Sequence, residues 1–142
     1  MSEEASNLSA KPMVLVVACA LIDADNRVLI AQRPEGKSMA GLWEFPGGKV
    51  EQGEVPEVAL VRELKEELGI ETKQACLAPL SFASHTYDDF HLLMPLYICR
   101  RWWGMPELIE HQAFKWVRAN RLHDYDMPEA DLPLISPLID IL

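Results

Sequence analysis

The spacing of apolar positions changes period along the chain, and each change marks an element. Met13 to Asp23 is a nearly unbroken run of Val, Ala, Leu and Ile, the pattern of a strand buried on both faces. Asp23-Ala24-Asp25-Asn26-Arg27 is a turn sequence and Val28 to Gln32 resumes the apolar run, so the two segments are predicted to form a hairpin. Arg33 to Ser38 reads as a loop, and Leu42 to Phe45 as a short strand entering the turn Phe45-Pro46-Gly47-Gly48. From Pro56 the period becomes helical. Leu60, Val61, Leu64 and Leu68 share one arc of about 100°, while Glu63, Glu66 and Glu67 share the next, with the short side chain of Ala59 among them. Pro56 suits the first turn of that helix and Gly69 its C-terminal cap. Ala75 to Thr86 and His91 to Trp102 are predicted to pair antiparallel across Tyr87-Asp88-Asp89-Phe90. His111 to Val117 follows as a short strand, Ala119 to His123 as a short helix, and Leu132 to Leu142 as a terminal helix despite Pro137.

The acidic arc is where chemistry enters. Glu63 and Glu67 lie one turn apart and without a counterion repel by a few tenths of a kcal/mol, about the size of an i,i+4 ion pair with its sign reversed. An acidic arc is ordinarily just a solvated face. Here a glycine turn that can expose backbone carbonyls precedes the helix, and Gly69 closes it, so strand, turn and helix read as one unit. Carboxylates plus a carbonyl make an all-oxygen donor set, which suits Mg²⁺ or Mn²⁺ better than zinc.

Composition narrows the classes. The 142 residues are 49% hydrophobic and 25% charged, as in a soluble globular protein, and read as a mobile arm over residues 1–11 and one domain over 12–142. A formal charge of −9 argues against nucleic acid polymers and anionic membranes as partners. Cys19, Cys76 and Cys99 have no CxxC spacing and read as reduced thiols, and the acidic, polar start MSEEASNLSAKP is unlike a signal peptide. A cytoplasmic monomer is the expectation. His85, His91, His111 and His123 share no ligand spacing and read as structural or surface histidines.

Gly48, Glu54, Arg62, Glu63, Glu66, Glu67 and Gly69, with aliphatic Leu64 and Ile70, fall at fixed intervals over residues 48–70. At every one of these positions the chain resembles the Nudix hydrolase family. The likeness extends to the MutT-type nucleoside triphosphate pyrophosphohydrolases through Ala31-Gln32-Arg33, Gly41 to Lys49, Glu110-His111-Gln112 with Trp116, and Ala130 to Ile135. It implies an α/β (α+β) fold, the Nudix α/β/α sandwich around a mixed, partly antiparallel sheet. It further implies that the Gly47 carbonyl, Glu63, Glu66, Glu67 and Glu110 bind Mg²⁺ or Mn²⁺, and that Arg33, Lys49, Phe45, Asp131 and Asp89 meet the nucleotide. Gly48, Glu54 and Gly69 are structural in this scheme. Arg62 either fixes a carboxylate or is an exposed partner of Glu66, and the general base is either Glu110 or a helix glutamate.

The implied reaction is hydrolysis of a modified nucleoside triphosphate to monophosphate and pyrophosphate, as in 8-oxo-dGTP sanitation protecting replication. The likeness departs at Asp131, where the MutT sanitiser carries Asn; an ionised Asp only accepts hydrogen bonds and would need a proton to serve guanine O6. Relatives acting on pyrimidine triphosphates carry Asp there, so a CTP-type substrate is the alternative. A nucleotide-binding module without turnover is the third reading, disfavoured by paired like charges that a mere binder does not need.

Overall fold

The computed structural model describes residues 11–142. The arm expected at 1–11 therefore lies outside the described residues except for Lys11, whose Nζ donates to the Tyr87 carbonyl at 3.3 Å. Strands β1 (Met13–Leu21), β2 (Arg27–Gln32), β3 (Trp43–Glu44) and β4 (Gly47–Lys49) precede helix α1 (Pro56–Leu68). Then come β5 (Leu77–Thr86), β6 (His91–Cys99), β7 (Ala113–Arg118) and helix α2 (Ile135–Ile141). One sheet runs β4-β1-β6-β5, with β1 parallel to β6 and the other pairs antiparallel; a second, antiparallel sheet runs β3-β2-β7.

Two apolar layers explain the continuous apolar run of β1. Its odd residues Val17, Cys19 and Leu21 pack with Leu60, Leu64 and Leu68 of α1, and its even residues Ala18, Ala20 and Ile22 pack with Leu134, Ile135 and Leu138 at the other face. A strand buried on both sides needs no polar alternation, because a helix covers each face. This is the expected α/β/α arrangement, with its β layer divided between two sheets. Among the described residues, no helix is long and apolar enough to cross a membrane.

The expected hairpin of β1 and β2 is corrected: only its base forms. Ile22 and Val28 make one antiparallel bridge, and the Asp23 carboxylate accepts from the Asp25 and Arg27 N–H groups, closing the turn. Beyond it β1 already has β4 and β6 as neighbours, so β2 pairs with β3 and β7 in the other sheet. The turn at Gly47-Gly48 is likewise more regular than expected. It forms β4, whose residues Gly47, Gly48 and Lys49 oppose Ala18, Val17 and Val16.

Helix α1 begins at Pro56, whose missing N–H is no loss in a first turn. It ends at Gly69, where φ is 69° and the N–H reaches back to Lys65 O, a left-handed cap that glycine adopts without a Cβ penalty. Pro137 falls in the first turn of α2 for the same reason that Pro56 does in α1, and a 3₁₀ turn at Leu132–Leu134 supplies the start of the expected longer helix.

Candidate active site

The helix glutamates are placed unequally. Glu67 is 5% exposed, Glu63 is half-buried and Glu66 is exposed at the outer edge of the arc. Helical geometry accounts for this: relative to Glu63, Glu67 lies about 40° to one side and Glu66 about 60° to the other. Ala59 sits with Leu60 and Leu64 in the core rather than beside open space.

Two glycines let the β4 backbone lie close to its neighbours, Gly48 to the Glu63 carboxylate and Gly47 to β1. A Cβ on Gly48 would stand 2.5 Å from the Glu63 carboxyl carbon, and one on Gly47 would stand 1.9 Å from Val17 O. Gly47 N–H donates to Glu67 Oε2 at 3.0 Å. Burial pushes the Glu67 carboxyl up to about 9, helped by the like charges of Glu63, Glu44 and Glu110. Burial also raises Glu63, against the pull of Arg62 and with the push of Glu66 and Glu110. Crowded, partly desolvated oxygens with this much mutual repulsion suit a divalent cation. The donor chemistry therefore agrees with a Mg²⁺- or Mn²⁺-type ion, and the charge of Glu110, an exposed loop residue, adds to the repulsion on Glu63 and Glu67.

Arg62 resolves both readings offered for it. Its Nε and Nη2 donate to the two Glu54 oxygens, each at 2.9 Å, while Nη1 reaches Glu63 Oε1 at 2.9 Å and Glu66 Oε2 at 3.3 Å. Nη2 also holds the Lys49 carbonyl at 3.2 Å. The guanidinium so ties the loop of β4 to the helix, and its hydrogen bonds hold the Glu54 carboxyl down at about 2.

Beside the carboxylates opens a cleft of about 320 Å³. Gly47, Gly48, Lys49, Glu67, Arg33 and Glu44 line it together with Phe45, Leu92, Met94 and Asp131. Tyr87 and Phe90 from the β5–β6 turn also line it, whereas Asp89 between them is exposed and lies outside the lining. Phe45 is 3% exposed, packs in the core and also lines the cleft. Asp131 is 5% exposed, accepts the Phe45 N–H at 3.3 Å, and is pushed up to about 7 by burial and by Glu44.

Two residues in this constellation were given no site role from the sequence. Glu44 Oε1 pairs with Arg33 Nη1 at 3.0 Å, and its Oε2 lies 2.9 Å from His111 Nε2. Glu44, Glu67 and His111 bring ligand-type atoms within 4.8 Å of one another. The signals available were adjacency: Glu44 precedes Phe45 and His111 follows Glu110.

Comparison with known proteins agrees with this geometry. The family model for the NUDIX domain matches residues 17–136. CTP pyrophosphohydrolase of Escherichia coli (strain K12) is 40% identical over 130 residues, 87% of this chain and 90% of that protein. The 8-oxo-dGTP diphosphatase of the same organism is 36% identical over 125 residues, 87% of this chain and 95% of that protein. A MutT structure from work on Aliivibrio salmonicida and Vibrio cholerae superposes with a TM-score of 0.77 at 34% identity, covering 92% of this chain and 99% of that one. With its glycine-flanked carboxylate helix set beside a cleft lined by Arg33, Phe45 and Asp131, the chain belongs to the Nudix family as a MutT-type hydrolase.

Proposed function

We propose that the protein hydrolyses oxidised guanine nucleoside triphosphates, 8-oxo-dGTP foremost, to monophosphate and pyrophosphate, and so guards DNA replication. The observation that carries the reading is Asp131, buried in the lining of the cleft beside Phe45, with its carboxyl raised to about 7. In its protonated form it donates to O6, and its carbonyl oxygen accepts the N7–H that only the oxidised base possesses. Unoxidised guanine presents an acceptor at N7, leaving two acceptors facing one another, a mismatch of the kind that discriminates strongly. The diphosphatase named above supports the same substrate class.

Phosphate chemistry falls to other residues. Gly47, Glu63, Glu66, Glu67 and Glu110 are the residues that would hold Mg²⁺ or Mn²⁺. When bound, such an ion neutralises charge on phosphate oxygens and acidifies water. Arg33 and Lys49 orient the phosphates, Phe45 packs against the base, and Arg62 keeps Glu63 aimed through Glu54 and the Lys49 carbonyl. Glu110, in an exposed loop yet close enough to repel Glu63 and Glu67, supplies a carboxylate from outside the helix. Glu110→Gln should lower kcat at least about tenfold whether it serves as base or ligand, general-base effects being about 10²–10⁴; steady-state rates check this. The free nucleotide pool of the cytoplasm is the setting this reading implies.

The similarity to a CTP pyrophosphohydrolase keeps a second reading in play, since an ionised Asp131 would accept from the cytosine amino group. One assay separates them: kcat and KM for 8-oxo-dGTP, dGTP, CTP and ADP-ribose at pH 6 and pH 8, with products identified. The oxidised-guanine reading expects the highest kcat/KM for 8-oxo-dGTP and a KM that rises as pH passes about 7 and Asp131 loses its proton. Preference for CTP, with KM constant or falling over the same interval, selects the alternative. Comparable rates on all four would remove the sanitation role.

A further inference from the structure

His111 stands outside the glycine and helix signature, yet its side chain is only 4% exposed and its Nε2 lies 2.9 Å from Glu44 Oε2 and 3.7 Å from Glu67 Oε1. The ring is placed from the sheet. Gln112 N–H donates to Gln32 O at 3.0 Å and Gln112 Nε2 to Gln32 Oε1 at 3.3 Å, fixing the chain just before β7. Glu44, paired with Arg33 at 3.0 Å, is an acceptor, so the ring's Nε2 carries the hydrogen between them. Nδ1 is buried and has no hydrogen-bond partner among the described residues, so within them the ring's polar attachment is through Nε2.

We propose that His111 is a positioning residue that couples nucleotide binding to metal binding, by tying the Arg33–Glu44 pair to Glu67. The proposal rests on the reading of Glu67 as a metal-binding carboxylate and Arg33 as a nucleotide contact. Glu44 stands between Arg33 and His111, and His111 between Glu44 and Glu67. Glu67 Oε2 accepts from Gly47 N–H, and at 3.7 Å from Oε1 the ring, whose one Nε2 hydrogen goes to Glu44, limits the swing of the carboxyl by packing rather than by a hydrogen bond. A phosphate that orders Arg33 orders Glu44, the ring and Glu67 in turn. By thermodynamic reciprocity, a cation that orders Glu67 prepares Arg33 for phosphate. Groups that orient a ligating carboxylate without touching the metal act in this manner.

The test is the Mn²⁺ dissociation constant, read by isothermal titration calorimetry with and without 8-oxo-dGMP, together with the dependence of initial 8-oxo-dGTP hydrolysis rates on free Mg²⁺ at low and at saturating nucleotide, for wild type, His111→Leu, His111→Gln, Glu44→Gln and His111→Leu/Glu44→Gln. Binding and rates should move together. Leu removes the N–H, and Gln offers an amide N–H at comparable reach. His111→Leu should raise the Mg²⁺ needed for half-maximal rate about tenfold, the size of effect seen when a carboxylate's orienting partner is lost. Saturating nucleotide should lower that requirement in wild type and do so at least about threefold less in His111→Leu, with His111→Gln recovering part of both effects. Glu44→Gln should add little to His111→Leu, because both cut the same link. A His111→Leu enzyme with the wild-type Mg²⁺ requirement and nucleotide effect overturns the proposal, as does a double variant whose loss equals the product of the single losses. Should His111→Leu fail to fold, His111→Gln with and without Glu44→Gln tests the same link by additivity: losses smaller than the product support it, and losses equal to the product overturn it. Wild-type rates indifferent to Mg²⁺ and Mn²⁺ would instead overturn the reading of Glu67.

Discussion

Glu67→Gln is expected to lower kcat by about 10³-fold, the loss that follows removal of one preorganised charge from a reacting centre, and yet to raise the melting temperature of the metal-free protein. Both effects have one cause. The carboxyl is 5% exposed, among Glu44, Glu63 and Glu110, and its folded value is pushed from 4.5 to about 9. Across that interval the folded protein binds a proton that the unfolded chain has released, so metal-free stability falls as pH rises from about 4.5 to about 9. A neutral amide removes this penalty while keeping an acceptor for Gly47 N–H. A gain of about 1–2 kcal/mol at pH 8, or roughly 3–8 °C in Tm, is the expected size. Added Mg²⁺ should raise the melting point of the wild type more than that of the variant, because a ligand stabilises only the state that binds it. Calorimetry and steady-state kinetics check both halves; a variant with near-normal kcat, or one that melts lower at pH 8, contradicts the assignment.

Gly48→Ala is expected to cost about 10²-fold in kcat, the penalty for misplacing a reacting-centre group by about an ångström. No unusual backbone angle is involved, since Gly48 is absent from the positive-φ glycines. The reason is space: the added Cβ would lie 2.5–2.7 Å from the Glu63 carboxylate atoms. Glu63 must turn away, and Arg62, bonded to Glu54 with both Nε and Nη2, cannot follow without releasing the loop. Circular dichroism should be unchanged, while the Mg²⁺ concentration for half-maximal rate rises. Wild-type kcat in a folded Gly48→Ala protein would show that Glu63 need not occupy its present position.

The functional core was legible because local geometry fixes it. Spacing within one helix put Glu63 and Glu67 on adjoining turns, and Gly69 and Pro56 marked the helix ends where they are observed. Equality among the three glutamates was not legible, since the depth of Glu67 and the exposure of Glu66 depend on how far α1 settles against β4. Pairing was the weaker part. Continuous apolar runs in β1 and β2 announce burial on both faces without naming a neighbour, and the Asp23 turn looks the same whether strands stay together or part. Glu44 was given no role and His111 was read as structural or surface because their 2.9 Å contact spans 67 positions, and nothing in a histidine's local surroundings reports a distant carboxylate. Asp89 is exposed and outside the cleft lining while its neighbours Tyr87 and Phe90 line it.

Metal removal and return test the central claim most directly. Enzyme stripped with EDTA and freed of chelator should be inert towards 8-oxo-dGTP, and graded Mg²⁺ or Mn²⁺ should restore turnover with 8-oxo-dGMP and pyrophosphate as the products. Turnover that persists without divalent ions, or products consisting of the diphosphate and phosphate, would contradict the account.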